Sequence, residues 1–484
     1  MTAVEQEPQA ARPPVRRRRD RAERGFTAFR TALTAWLSRP LASFHLVLAL
    51  TGLLGVIGVV MVLSASSVAS VDPKTGAGAY GLFKKHVIFV IIGSIVFLIG
   101  LRVPLKRIRQ FVSMAMLGSV LLLVLVLTPL GSKHFGSQGW FDIGGFVSFQ
   151  PVEFAKVALA LWGAHILVMK YNVLNQWRHL MVPVVPAALL MFALVMAQPD
   201  LGGTITLAVV LFALLWFAGA PKRLFGVIFA GGIAGAIVLA LISSYRLDRV
   251  LSFLSPDADT KGSSYQALQA KYALADGGLF GRGLGQGPSK YNYLPNVHND
   301  FIFALIGEEL GFIGCAVVLC LFAGLAIVGL RIATRNIDPW IRIVSGTLTV
   351  FLVAQAAINI GYVVGLLPVT GVTLPLISAG GTSLVVTMLI LGMLANAARH
   401  EPEAVAALRS QGPGKFGRLL RIPAPDPYRP PAKRKGSVRA TGKAARPAAR
   451  VARPAPAQER RRSVREPGRR STATRGQVKR RGRK

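Results

Sequence analysis

Long apolar runs separated by short polar stretches occupy the chain from Leu46 to Ala397. The runs do not alternate with polar residues as strands facing water do, and they leave no polar face as soluble helices do. A helix that crosses a bilayer needs about 20 apolar residues. Ten runs come close to that measure: Leu46–Leu63, His86–Leu101, Phe111–Leu130, Val152–Met169, Met181–Ala197, Leu201–Ala218, Leu224–Ile242, Phe301–Leu330, Ile343–Leu367 and Leu374–Ala397. The fifth and sixth are separated only by Gln198-Pro199-Asp200. One helix over both is about twice the length a single crossing needs, and Pro199 marks a break. The pattern predicts an all-α integral membrane protein of about ten transmembrane helices.

Charge orients these helices, because short cytoplasmic loops collect Lys and Arg. Arg102, Lys106, Arg107 and Arg109 follow the second run, and Lys170 and Arg178 follow the fourth. Lys222 and Arg223 follow the sixth, and Arg331, Arg335 and Arg342 the eighth. Every second loop is basic, in step with the N-terminal segment that holds Arg16 to Arg19. Both ends are therefore expected in the cytoplasm. The other loops face outward: 64–85, 131–151, the Gln-Pro-Asp turn, 243–300 and 368–373. The stretch 244–300 between the seventh and eighth runs is far longer than ordinary connections. It carries a candidate surface helix at Tyr265–Ala270 and a glycine-rich stretch from Gly277 to Gly287. Such loops on a rigid scaffold are usual places for function.

Composition divides the chain into three parts. Of 484 residues, 52% are apolar and only 16% charged, against about 25% charged in soluble domains. The formal net charge of +36 is concentrated at the ends. Residues 1–45 form a basic N-terminal segment, and 46–400 a membrane domain. Residues 401–484 hold 25 Lys and Arg against 5 acids, with few large apolar residues. That tail cannot bury a core, which predicts disorder. Beside a membrane it suits anionic lipid or an acidic partner better than any specific nucleic acid. No cleavable signal peptide is expected, since the first apolar run follows some 45 polar residues. Cys315 and Cys320 point about 140° apart on a helix and read as packing residues, not a disulfide or metal pair.

Polar groups at membrane depth are costly, so they are candidates for function. Glu153 and Lys156, after Gln150, share one face at the start of the fourth run. They form either a self-neutralising pair or a polar wall where Lys156 meets an anion. Asp200 stands where a helix cap would. Asn299 and Asp300 are also placed to cap, but a carboxylate at an outward mouth beside His298 suits a general base. Glu308 and Glu309 are predicted about 12 Å into the eighth run, with one facing a polar cavity and a cationic partner. Gln355 and Asn359 lie one turn apart, and Ser378, Gly380 and Gly381 bring polar, glycine-rich backbone to membrane depth. Such backbone is tolerated only inside protein or beside water, though close packing by small residues explains it equally.

Taken in order, these segments resemble the SEDS family, the shape, elongation, division and sporulation proteins. The resemblance rests on Gly139-Trp140-Phe141, Gln150-Pro151-Val152-Glu153-Phe154-Ala155-Lys156 and Gln198-Pro199-Asp200-Leu201-Gly202. It continues through Gly281–Gly287, Tyr293–Ala304, Gly307-Glu308-Glu309-Leu310-Gly311 and Pro375–Gly381, covering roughly residues 46–400. The wording Lys290–Pro295 and the long basic tail look like the cell-division members from actinobacteria. The resemblance implies a peptidoglycan glycosyltransferase that polymerises lipid II at the division septum. The family's catalytic aspartate falls on Asp300. Trp140, Gln150, Glu153, Lys156, Asp200, His298, Asn299, Glu308, Asn359, Ser378, Gly380 and Gly381 are the candidate substrate-binding residues. The chain departs from the family where Gln138 and Gly139 replace an arginine before the tryptophan, and where Val152 replaces a serine. Lys133 or Lys156 would then meet the diphosphate, or a divalent cation (Mg or Mn) would travel with it. No metal-ligand set is legible.

The implied partners are a class B penicillin-binding protein of the FtsI type, lipid II with its undecaprenyl-linked glycan, anionic lipid, and FtsZ through the basic tail. Two rival readings are a lipid II flippase and a non-enzymatic division scaffold. Asp200, Asp300, Trp140 and the long loop are all expected outside, whereas a flippase should show polar groups open to both faces.

Overall fold

A computed structural model of the chain describes residues 38–69, 81–134, 137–143, 147–170, 181–242, 263–290 and 298–414, with short pieces before and after these. Part of the expected loop at 243–262, the wording at 291–297 and the tail beyond 428 lie outside the described residues. Residues 1–430 form one compact unit.

The architecture is helical. Among the described residues, seven helices are long and apolar enough to cross a membrane: α1 (Ala42–Ala69), α2 (Gly81–Arg102), α3 (Leu105–Leu125), α4 (Pro151–Met169), α9 (Ile302–Arg335), α10 (Pro339–Val363) and α11 (Gly381–Ala398). Two shorter apolar helices, α5 (Val184–Ala197) and α6 (Leu201–Phe217), flank the Gln-Pro-Asp turn. A further helix, α7, spans Lys222–Ile242. The expected surface helix is longer than Tyr265–Ala270: α8 runs Ser263–Gly277. Between α3 and α4 lies a small antiparallel meander, β1 (Ser132–His134), β2 (Ser137–Ile143) and β3 (Val147–Phe149). Trp140 stands opposite Ser132, and Asp142 opposite Ser148.

In lipid there is no hydrophobic gain in bringing two helices together, so close packing has to do it. The pairing of α2 with α11 shows how. A Cβ added at Gly392 would lie 2.3 Å from the Phe97 carbonyl oxygen, and one at Gly93 would lie 3.0 Å from Leu384 and Met388. The backbones approach because those positions carry no side chain. Large apolar residues with nothing to pack against face outward instead, among them Leu117, Met114, Ile95 and Ile327.

Four expectations are corrected by the structure. First, α10 stops at Val363 and α11 begins at Gly381, so residues 364–380 form a non-helical strap longer than the expected 368–373. Gly365 (φ 83°) turns the chain out of α10, and Pro375 keeps the strap from joining α11. Second, α9 is not one straight helix. Its 34 residues would reach about 51 Å, well beyond the roughly 30 Å hydrocarbon core, and it breaks at Gly311 (φ 68°). Third, the run does not face lipid along its whole length, and Glu308 and Glu309 lie just before that break. Phe301 to Glu309 are all buried, while outward-facing apolar residues begin at Phe312. Fourth, residues after 400 do not lose structure at once: Pro402–Ser410 forms α12, which buries Ala404, Val405 and Leu408 on one face.

Candidate functional site

Asp300 lies in the turn before α9, partly exposed, with His298 and Asn299 in the same turn. The turn is held from two sides. The Asn359 side-chain amide donates to the Asp300 carbonyl oxygen at 2.9 Å, and the Tyr362 hydroxyl lies 2.8 Å from the same oxygen. Both residues project from the last turn of α10 and also reach the Val372 carbonyl, at 2.7 and 2.8 Å. The Tyr362 ring meets Phe301 edge-on, 5.7 Å between centroids. From the opposite side, the Ala379 N–H donates to the His298 carbonyl at 3.0 Å. The strap 364–380 thus passes beside the aspartate, and a Cβ added at Gly371 would lie 3.7 Å from Asp300 Oδ2. Burial pushes the His298 ring below its ordinary pKa, which keeps it neutral at neutral pH.

The strap also carries the other candidate residues together. Gln355 donates to the Thr373 carbonyl at 3.0 Å, and Ser378 Oγ accepts from the Leu374 N–H at 2.8 Å. Gly380 and Gly381 start α11 where side chains would collide, with Thr373 at 3.1 Å and with Phe89 at 2.6 Å. Gly202 presses α6 onto the strap, since a Cβ there would meet the Thr370 carbonyl at 2.6 Å.

Asp200 caps α6, accepting from the Gly203 N–H at 2.7 Å, so the capping role is made. Its second oxygen faces the Gln150 amide at 3.4 Å. Burial raises the Asp200 pKa, while the Gly203 N–H and the Lys156 ammonium pull it down and Glu153 raises it further. The Gln150 N–H meets Thr382 Oγ1 at 3.2 Å, tying the start of α4 to the start of α11. Trp140 belongs to the same edge: its strand touches the Gln-Pro-Asp turn through Ser137, whose hydroxyl donates to the Gln198 carbonyl.

The remaining candidates sit apart from this cluster. Lys156 is 2% exposed and pairs with Glu153 at 2.7 Å, with its ammonium 4.9 Å from the centre of the Phe351 ring. That is the self-neutralising arrangement, sealed from solvent. Glu308 accepts from Ser289, and Glu309 from the Ser64 hydroxyl at 2.6 Å. These described partners are hydroxyls and a backbone N–H, and the Arg282 guanidinium lies close enough to Glu308 for its charge to act on the carboxylate. Lys133 stands exposed on β1. Among the described residues no group of three or more His, Cys, Asp or Glu is arranged to hold a metal ion.

Sequence reasoning missed Tyr362. It was within reach, since it lies one helical turn beyond Asn359 and so shares its face.

A helical bundle crossing the membrane with a polar, strap-bound aspartate at one end defines a narrow class. The profile of the FtsW/RodA/SpoVE cell cycle proteins matches residues 44–403, and the chain belongs to that family. A protein of Mycobacterium tuberculosis, named probable peptidoglycan glycosyltransferase FtsW, is 48% identical over 403 residues, 83% of this chain and 76% of that one. Stage V sporulation protein E of Bacillus subtilis is 38% identical over 66% of this chain and 87% of its own length. Among solved structures, a chain of a peptidoglycan synthase complex that coordinates polymerization and crosslinking superposes with a TM-score of 0.60. It is 26% identical and covers 76% of this chain and 99% of its own. The rod shape determining protein RodA of Thermus thermophilus gives 0.54 at 26% identity, with the same coverage.

Proposed function

We propose that this chain is a peptidoglycan glycosyltransferase that polymerises lipid II into glycan strands at the division septum, with Asp300 as its general base. The observation that carries the reading is the partly exposed Asp300, its backbone held by Asn359 and Tyr362, in a chain 48% identical to a named glycosyltransferase. Asp300 accepts the proton of the sugar 4-hydroxyl on incoming lipid II. That oxygen attacks the anomeric carbon of the growing strand, and undecaprenyl diphosphate leaves with the bonding electrons. One displacement inverts an α-linked donor into a β-linked product. General-base assistance of this kind supplies about 10²- to 10⁴-fold. Trp140, Gln150, Asp200, His298, Asn299, Ser378, Gly380 and Gly381 line the polar edge around that carboxylate. Glu153 and Lys156 lie apart from it as a sealed ion pair, and Glu308 lies apart on Ser289. Since no protein cage for a metal is present among the described residues, a Mg or Mn ion would arrive on the diphosphate itself.

The chain crosses the plasma membrane ten times, with both ends in the cytoplasm and the 244–300 loop outside. The alternation of basic loops and ten apolar helices in the expected order support that topology. A class B penicillin-binding protein of the FtsI type is the cross-linking partner, supported by the peptidoglycan synthase complex among the structural relatives. The basic tail binds anionic lipid and FtsZ through charge. The test is purified full-length protein given lipid II, with and without the FtsI-type partner, and assayed for glycan chains. Chains are expected from the native protein and none from Asp300→Asn, with the variant still folded and still bound to its partner. Full polymerisation by Asp300→Asn would remove the proposed base.

A further inference from the structure

The glycine-rich stretch after α8 is tied to the break in α9 by its backbone. Arg282 N–H donates to the Glu308 carbonyl at 2.9 Å, and Gly283 N–H to the Glu309 carbonyl at 3.0 Å. In return, Phe312 N–H donates to the Gly278 carbonyl at 2.9 Å, and Ile313 N–H to the Leu279 carbonyl at 3.3 Å. Gly281 N–H closes the turn on the Gly277 carbonyl at 2.8 Å. Only glycine permits this contact. A Cβ at Gly277 would lie 1.8 Å from the Gly307 carbonyl oxygen, and one at Gly281 would lie 2.2 Å from that of Glu309.

Three large apolar side chains of this loop are exposed, beside the exposed polar Arg282 and Gln286. Phe280 is 75% exposed, Leu279 56% and Leu284 54%. They adjoin Phe312 (66%) and Ile313 (46%), where the outward-facing apolar stripe of α9 begins. Arg282 stands among them, half-exposed and paired with Asp276 at 3.3 Å. In hydrocarbon, irregular backbone survives only if its own N–H and C=O groups are satisfied internally. The bonds above meet that condition for the N–H groups of Gly281, Arg282 and Gly283 and for the carbonyls of Gly277, Gly278 and Leu279. Apolar side chains ringed by one paired cation are the pattern of an interfacial anchor.

We infer that Leu279, Phe280 and Leu284 are immersed in the outer leaflet, so that residues 277–287 form a membrane-dipping loop whose occupant is lipid acyl chain. The apolar surface continues from the loop onto α9, because backbone bonds set Gly278 and Leu279 against Phe312 and Ile313. The inference needs only that α9 spans the membrane with its N-terminal end outside, and it holds whether or not Asp300 is the base.

The test uses full-length protein in liposomes without a partner, in a Cys315→Ala, Cys320→Ala background. Nitroxide labels are placed singly at Phe280→Cys, at Phe312→Cys as lipid reference, and at Lys133→Cys as water reference. Collision rates with oxygen and with a water-soluble nickel chelate are measured for each. The oxygen-to-nickel ratio at position 280 is expected to match that at 312 and to exceed that at 133 several-fold. A ratio like that at 133 overturns the inference. A label shielded from both reagents overturns it too, because protein and not lipid would then cover the loop. Phe280 is exposed, so its replacement removes no core packing, and a melting curve matching the background protein confirms the fold.

Discussion

The Asn359 side chain holds the Asp300 carbonyl oxygen at 2.9 Å and the Val372 carbonyl at 2.7 Å, so one buried amide sets the aspartate turn against the strap. Asn359→Ala removes both bonds, and the single Tyr362 hydroxyl proton can then serve only one of the two carbonyls. The expected cost is about 1–3 kcal/mol in stability. A displacement of the carboxylate by about 1 Å can cost roughly 10²-fold in rate. Glycan synthesis should therefore fall much further than melting temperature alone would explain. Tyr362→Phe keeps the ring contact with Phe301 and should cost less, about 0.5–1.5 kcal/mol. Initial rates and thermal melts on both variants check this, and an Asn359→Ala protein with native rates would contradict it.

The Glu153–Lys156 pair is sealed, which predicts an asymmetry. Lys156→Met leaves a buried carboxylate without its partner and should destabilise by about 3–5 kcal/mol. Adding Glu153→Gln should recover most of that loss. Melting of the single and double variants in the same detergent decides the matter. A neutral Lys156→Met would mean that the ammonium is not paired at all.

Gly281 is unforgiving for two reasons. Its φ is +81°, and a Cβ there would lie 2.2 Å from the Glu309 carbonyl oxygen. Gly281→Ala should strain the loop by about 1–3 kcal/mol and loosen the tie to α9. Gly278, also at positive φ (54°) but with nothing within 4 Å of an added Cβ, serves as the control. Gly278→Ala should cost less. Hydrogen exchange at Arg282 and Gly283 should quicken in the first variant and stay unchanged in the second.

His298 gives a pH dependence whose sign follows from burial. Its folded pKa lies below the ordinary value, so the folded protein binds fewer protons than the unfolded chain. Stability then rises with pH up to about 6.5 and falls as the medium turns acid below it. The difference between native protein and His298→Gln isolates this group. Melts from pH 5 to 8 should show native stability minus variant stability rising toward neutral pH, and a difference that falls there would be the wrong sign.

Helix positions were legible because lipid imposes a length. Each apolar run had to reach about 20 residues, and each basic loop had to stay on one side. Boundaries blurred where apolar residues continue past a helix end, as at Leu366 and Leu367, or precede one, as at Leu374 to Ile377. Composition cannot separate an apolar strap buried in protein from an apolar helix facing lipid. The break at Gly311 was equally hidden, because a glycine inside an apolar run reads as a packing position until its φ is known. The aspartate, the asparagine one turn from Gln355 and the Gln-Pro-Asp turn were visible as polar groups out of place. Their meeting was not, since Gly202, Gly371 and Tyr362 bring them together through contacts far apart in sequence.

The break in α9 also decides what the aspartate is measured from. The upper piece is hung from the loop by Arg282 and Gly283, while the lower piece, residues 312–335, is about 36 Å long and can lean as bilayer thickness varies. With residues 277–287 anchored in the outer leaflet as inferred above, the height of Asp300 follows that loop and not the bilayer's midpoint. A thicker or thinner membrane is then expected to change the slant of the lower piece and to leave the height of the carboxylate unchanged.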